Sequence, residues 1–394
     1  GGEGGGGEGG GGGVRGELGE EEGGTRGKRR RNHRNTDLLP PPLSSSFPLS
    51  TPSATVTAAV AAAAPFPLGP DDAPETAAHA SHWRRFRRQC RPRPFKVLDA
   101  SGLSDNFFHS VLDLSHQDVM AIGLGLGVVL FSTHSESVTW LMDVPPNTCG
   151  ELTSLCWDPT GHLLALGMHS GVVQIWDVNR HALVRTLHSH TQRVGCLSWG
   201  GVVLTSGSRD RSLSHADLRH PRDCVGRAVQ GHGEEICGIR WSPDDRFLAS
   251  GSSNSQLLTW TLRSTEPEHA LLGHTAAVRA LDWSPSHPTL LASGGGVADR
   301  TIRIWNAENG AAVRAVDTGS QVCQLRWSKS TPEIISTHGY GSNEVCVWAG
   351  KTLAKVGTYV GHKKRVLYLA MSRDGGTVVT GAGDETLRFW SMFP

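Results

Sequence analysis

The chain has 394 residues, 38 basic against 37 acidic, and a formal net charge of +1, so no global field draws it toward nucleic acid or a membrane. No apolar run approaches the eighteen or so residues that a membrane-spanning helix needs. The eight cysteines contain no C-x-x-C pair, and several lie within a few residues before a strand tryptophan, which fits buried thiols in a reducing compartment rather than a disulfide or metal framework.

Residues 1–94 are of low complexity: a Gly/Glu run, the cluster Lys28-Arg29-Arg30-Arg31, a Pro/Ser/Ala-rich stretch, then Trp83-Arg84-Arg85-Phe86-Arg87-Arg88. Such a composition buries too little apolar surface to offset chain entropy, so disorder is expected here. The basic clusters read equally as nuclear-localisation signals or as a solvated tail. Met120 is the first methionine, and a chain opening on Gly1 is expected to lack its true start.

Order is expected from Phe95. Phe95 to Asp99 reads as a short strand ahead of the first repeat. From there three ladders share one period. Trp390, Trp348, Trp305, Trp260 and Trp176 each end an alternating run, with Ala216 and Phe131 in the two remaining registers, at separations of 42, 43, 45, 44, 40 and 45 residues. A second series runs Leu114, Trp157, Trp199, Trp241, Trp283, Trp327 and Met371 at 42 to 44 residues. Ser189-His190, Gly231-His232, Gly273-His274 and Gly361-His362 keep step with both.

A period of 40 to 45 residues with Gly-His near its start and Trp near its end is the WD-repeat signature, so the chain is read as an all-β, seven-bladed WD-repeat β-propeller over residues 95–391, preceded by the low-complexity tail. Blade cores are expected near 107–143, 150–187, 190–229, 232–271, 274–317, 319–358 and 361–391. The last offers only three strands of its own, so Phe95–Asp99 is expected to complete it, because an unclosed ring would leave open edges. His190, His232, His274 and His362, with Asp210, Asp299 and Asp384 and with Trp176, Trp260, Trp305, Trp348 and Trp390, are expected to satisfy one another inside the blades.

Beyond the fold, several strings resemble the Fizzy and Fizzy-related family: Phe95-Lys96-Val97-Leu98-Asp99-Ala100, Ser206-Gly207-Ser208-Arg209-Asp210-Arg211, Asp317-Thr318-Gly319-Ser320-Gln321-Val322-Cys323, Ser336-Thr337-His338-Gly339-Tyr340 and the run from Arg365 to Trp390. The resemblance implies a substrate-recruiting activator of the anaphase-promoting complex, a cell-cycle ubiquitin ligase, acting in nucleus and cytoplasm. It implies partners among that ligase's core subunits and among cell-cycle proteins bearing degrons, with no nucleic acid, membrane, cofactor or metal. It also implies that Asp113 and Glu385 hold the arginine of an R-x-x-L destruction box. Two converging carboxylates suit a guanidinium fork better than a lysine.

A second degron, Lys-Glu-Asn, would be read at Gln321 and Arg365. There the chain departs from the family pattern at Ser252-Ser253-Asn254-Ser255 by register on Trp260, or at Gly251-Ser252-Ser253-Asn254 by the preceding Ala-Ser, and at Val297 where the family usually has Thr, which weakens that site. The family's N-terminal D-R-[YF]-I-P box and C-terminal Ile-Arg tail are not matched. A diverged propeller that binds peptides without docking on the ligase is the second reading. An enzyme is not expected: no Ser/His/Asp or Cys/His set has motif support, and Gly123-Leu124-Gly125-Leu126-Gly127 lies in a strand pattern instead of opening a helix as a phosphate loop would.

Overall fold

In the computed structural model the described residues are 93–125, 127–143, 150–219 and 228–393. The expected tail, its basic clusters and Cys90, Cys149 and Cys224 lie outside them. The described chain forms seven four-stranded antiparallel sheets. Each follows from alternating apolar runs separated by Asp/Gly/Ser turns, such as Val366–Met371, Thr377–Ala382 and Thr386–Ser391 around Asp374-Gly375-Gly376 and Asp384-Glu385. The strand Lys96–Asp99 is the fourth of that last sheet, in register Lys96↔Phe389 to Asp99↔Thr386.

The seven innermost strands are Leu112–Leu114, Leu152–Trp157, Val194–Gly200, Ile236–Trp241, Val278–Trp283, Val322–Trp327 and Val366–Met371. Each packs on the next, and the last packs on the first, which closes a ring about a narrow channel. Neighbouring innermost strands run parallel, as the bridge Ser110↔Ser154 records. All turns between first and second strands therefore lie on one rim, called lower here. Turns between second and third strands lie on the upper rim.

Inside a blade the polar residues form a relay. In the last blade His362 Nδ1 lies 3.2 Å from Asp384, its Nε2 lies 2.8 Å from the Thr380 hydroxyl, and the Trp390 indole N–H donates to that same hydroxyl at 2.8 Å. The fifth blade repeats this with Asp299, His274, Ser293 and Trp305. Histidine and tryptophan thus meet through a hydroxyl on the second strand, not directly through the aspartate.

The relay varies between blades. The fourth keeps His232, Ser250 and Trp260, but its turn offers Asn254 in place of the acid. The third keeps His190, Asp210 and Ser206, with Ala216 where a tryptophan would stand. In the sixth, which has no Gly-His, His338 from the second strand itself bonds Ser336, and Trp348 donates to that hydroxyl. Trp176 departs from its expected role: its indole donates to Gln174, outside any histidine relay.

Candidate functional site: the upper rim between the last and first blades

Glu385 sits in the upper-rim turn Gly383-Asp384-Glu385 with φ of +60°. Arg211, Ser255 and Arg300 follow the same turn position in other blades and share that left-handed backbone. The strained geometry therefore belongs to the repeat, and the carboxylate belongs to this blade. Asp384 fixes the turn. Burial pushes its carboxyl up, but the Lys363 N–H, the Thr386 hydroxyl and His362 outweigh burial and hold it below the usual range. The Glu385 side chain is exposed and accepts no bond from a described residue, while its backbone C=O takes the Ala100 N–H at 2.8 Å.

The segment after Ala100 brings a second acid to the same place. A side chain at Gly383 would collide with the Asp105 carboxylate, so glycine is required where that loop crosses the turn. Asp105 pairs with Arg365, Oδ1 lying 3.1 Å from Nη2, and the guanidinium lies over the Tyr340 ring at 4.7 Å. Gln321 stands on the other side of the Gly339-Tyr340 turn. It is 5 % exposed and its Oε1 has no protein partner, even though any side chain at Gly339 would strike it. The structure therefore gathers Glu385, Asp105, Arg365 and Gln321 on one rim.

Asp113 is not among them. It lies in Leu112–Leu114, one residue before the lower-rim turn. Its Oδ2 accepts the Trp157 N–H at 2.9 Å and its Oδ1 accepts the Leu114 N–H at 3.0 Å. The expectation that Asp113 and Glu385 converge on one guanidinium is corrected by this placement at opposite ends of the blades. The acid that neighbours Glu385 is Asp105, and the signal for it was the polar Ser104-Asp105-Asn106 leading into the first innermost strand. Val297 is exposed in the upper-rim turn of the fifth blade, and Ser252 and Asn254 bond one another in that of the fourth.

Sequence reasoning also missed Arg279. It is 3 % exposed on the innermost strand of the fifth blade, and its guanidinium donates to the carbonyls of Cys323 at 3.0 Å, of Leu367 at 2.8 Å and of His109. It thereby ties the fifth, sixth, seventh and first blades across the channel. No carboxylate bonds it, and burial lowers its pKa. The available signal was its register: the corresponding inner positions hold Ser110, Thr153, Gly195, Cys237, Cys323 and Leu367, so one arginine there is an outlier.

Among the described residues no group of His, Cys, Asp and Glu is arranged to hold a metal ion, and no helix is long and apolar enough to cross a membrane. Cys156, Cys196, Cys237, Cys323 and Cys346 are buried free thiols, and burial pushes Cys323 and Cys346 up to about 12. They act as small core residues, not nucleophiles.

Comparison with known proteins bears on the family and the fold. The family described as CDC20/Fizzy WD40 domain matches residues 98–390. The chain is 50% identical over 307 residues to the B-type cell cycle switch protein ccs52B of Medicago truncatula, covering 78% of this chain and 63% of that protein. It is 49% identical to Protein FIZZY-RELATED 3 of Arabidopsis thaliana, with the same coverage. It is 42% identical to the APC/C activator protein CDH1 of Saccharomyces cerevisiae, covering 78% of this chain and 53% of that one. A chain in a crystal structure of the mitotic checkpoint complex superposes with a TM-score of 0.75 at 39% identity, over 78% of this chain and 94% of that one. The chain thus spans somewhat under two thirds of the first of these relatives, and it belongs to the CDC20/Fizzy family of WD-repeat proteins.

Proposed function

We propose that this chain recruits substrates to the anaphase-promoting complex, holding R-x-x-L degrons on the upper rim between its last and first blades. The observation that carries this reading is the exposed Glu385 carboxylate, free of partners among the described residues, beside the half-exposed Asp105. A guanidinium entering there meets one acid with no internal partner and a second already turned toward an arginine. Charge-assisted bonds of this kind are short and directional. The similarity to Fizzy-related proteins and to an APC/C activator supports the assignment of the ligase as partner. We place its work in the nucleus and cytoplasm, and we read it as an adaptor with no catalytic step of its own.

Lys-Glu-Asn peptides would meet Gln321, whose buried Oε1 lacks a partner, but would find an apolar Val297 on the same rim. Their binding is expected to be the weaker of the two. Isothermal titration with an R-x-x-L peptide tests the main reading: Glu385→Arg should abolish binding while leaving the melting temperature unchanged, because that side chain is exposed and unpaired. Undiminished binding by the variant would place the degron site elsewhere, or leave only the scaffold reading standing.

A further inference from the structure

At the lower mouth of the channel, one register position of the innermost strands, the residue before the ladder of Leu114, the tryptophans and Met371, carries an acceptor in three blades, an arginine in two, and Cys156 and Ala370 in the remaining two. Asp113, Ser198 and Asp282 use it to accept the backbone N–H of a residue in the next blade, at 2.9 Å from Trp157, 3.3 Å from Trp241 and 2.7 Å from Trp327. Arg240 and Arg326 stand in the same position and, as pure donors, cannot clamp in that way. Both turn toward Asp282 instead, with contacts to its Oδ1 of 3.0 Å from Arg240 Nε and 3.5 Å from Arg326 Nη1. Lys329 adds a third cation, held by the Ser372 carbonyl at 3.0 Å.

These side chains border a cavity of about 250 Å³ with Asp113, Trp283 and Trp327. Three cations face two carboxylates, and the carboxylates are already engaged. Asp113 takes two amide N–H groups, and Asp282 takes one together with Arg240. Among the described residues the Arg326 side chain has one polar partner, Asp282 at 3.5 Å. Burial first, and the neighbouring Arg240 after it, push its pKa down.

We propose that this mouth binds a phosphate group, carried by a compact small molecule or by a phosphorylated side chain. A phosphomonoester brings about 1.5–2 negative charges and three acceptor oxygens, which answers paired guanidinium forks better than a single carboxylate does. The cavity is smaller than the roughly 300–1,000 Å³ of sites for drug-sized ligands, so a compact group is indicated. The site lies on the rim opposite Glu385 and does not rest on the peptide-binding reading.

The test is titration of the full chain at fixed ionic strength with pyrophosphate, and separately with a phosphoserine peptide and its unphosphorylated form. Saturable binding of pyrophosphate points to a free anion, and at least tenfold preference for the phosphorylated peptide points to a side chain. In either arm Arg326→Gln and Lys329→Met should each weaken binding fivefold or more, Asp282→Asn should tighten it, and Arg314→Gln on the outer strand of the fifth blade should change nothing. Should Arg326→Gln fail to fold, the Lys329 and Asp282 variants still decide. Absence of saturable binding in both arms, or binding indifferent to these substitutions, overturns the proposal.

Discussion

The two rims place acids in opposite circumstances. At the lower mouth Asp113 and Asp282 accept backbone N–H groups of the next blade, so their charge is consumed in holding neighbouring sheets in register. At the upper rim Glu385 projects from a turn whose shape Asp384 and His362 already secure, and its carboxylate is left for something outside the blade. Residue type alone does not separate these cases. What separates them is whether the structure already satisfies the group, because a buried acceptor left unpaired costs free energy and an exposed one does not.

The comparison is broken most severely at the channel. Arg279→Leu should leave the carbonyls of Cys323, Leu367 and His109 without their donor. At ~1–3 kcal/mol for each unsatisfied buried group, urea denaturation should show a loss of about 3 kcal/mol or more. A near-neutral result would mean that the channel does not depend on this cross-link.

Acid should act next, through buried histidines. His109, His232, His338 and His362 are held near 4, with burial the largest cause in each. Their unfolded value is about 6.5. The unfolded chain takes up protons first, so stability is complete above about pH 6.5 and falls as pH drops toward 4. The depressed carboxyls Asp299 and Asp384 withdraw their contributions only at lower pH. A melting temperature that drops by several degrees between pH 7 and 5 is expected, and a flat profile contradicts the neutral, buried relays.

The smallest expected effect sharpens the upper rim. Val297→Thr restores one hydroxyl at an exposed position, and a single hydrogen bond contributes ~0.5–1.5 kcal/mol. Titration should therefore show Lys-Glu-Asn peptide affinity rising by a few-fold with no change for R-x-x-L. Equal gains for both peptides would argue against separate subsites.

Seven blades were legible because the tryptophan and Gly-His ladders share one period, and a repeat can bury its apolar face only against copies of itself. The relay was legible in part. His362, Asp384 and Trp390 stood out, but the bridging Thr380 and Ser293 did not, since a lone hydroxyl in a strand carries no pattern. His338 escaped because it supplies from the second strand what other blades draw from Gly-His. Glu385 was found through a family motif. Asp113 came from the same resemblance, as the first-blade acid it implies, and its register, one residue ahead of the ladder position Leu114, already placed it at the wrong end. Asp105 lies in a segment without periodicity, and only the crossing at Gly383 shows which turn it faces.

The central claim is that Glu385 serves binding and Asp113 serves the ring. Its most direct test is one pair of variants, Glu385→Ala and Asp113→Ala, each measured for R-x-x-L affinity by isothermal titration and for stability by urea denaturation. A half-made charge pair at an interface typically costs about 2–5 kcal/mol, so Glu385→Ala should weaken the peptide tenfold or more at unchanged stability. Asp113→Ala should leave affinity intact and cost ~1–3 kcal/mol of folding free energy, the Trp157 N–H having lost its acceptor. Weakened peptide binding by Asp113→Ala at full stability, with Glu385→Ala silent, would contradict the account.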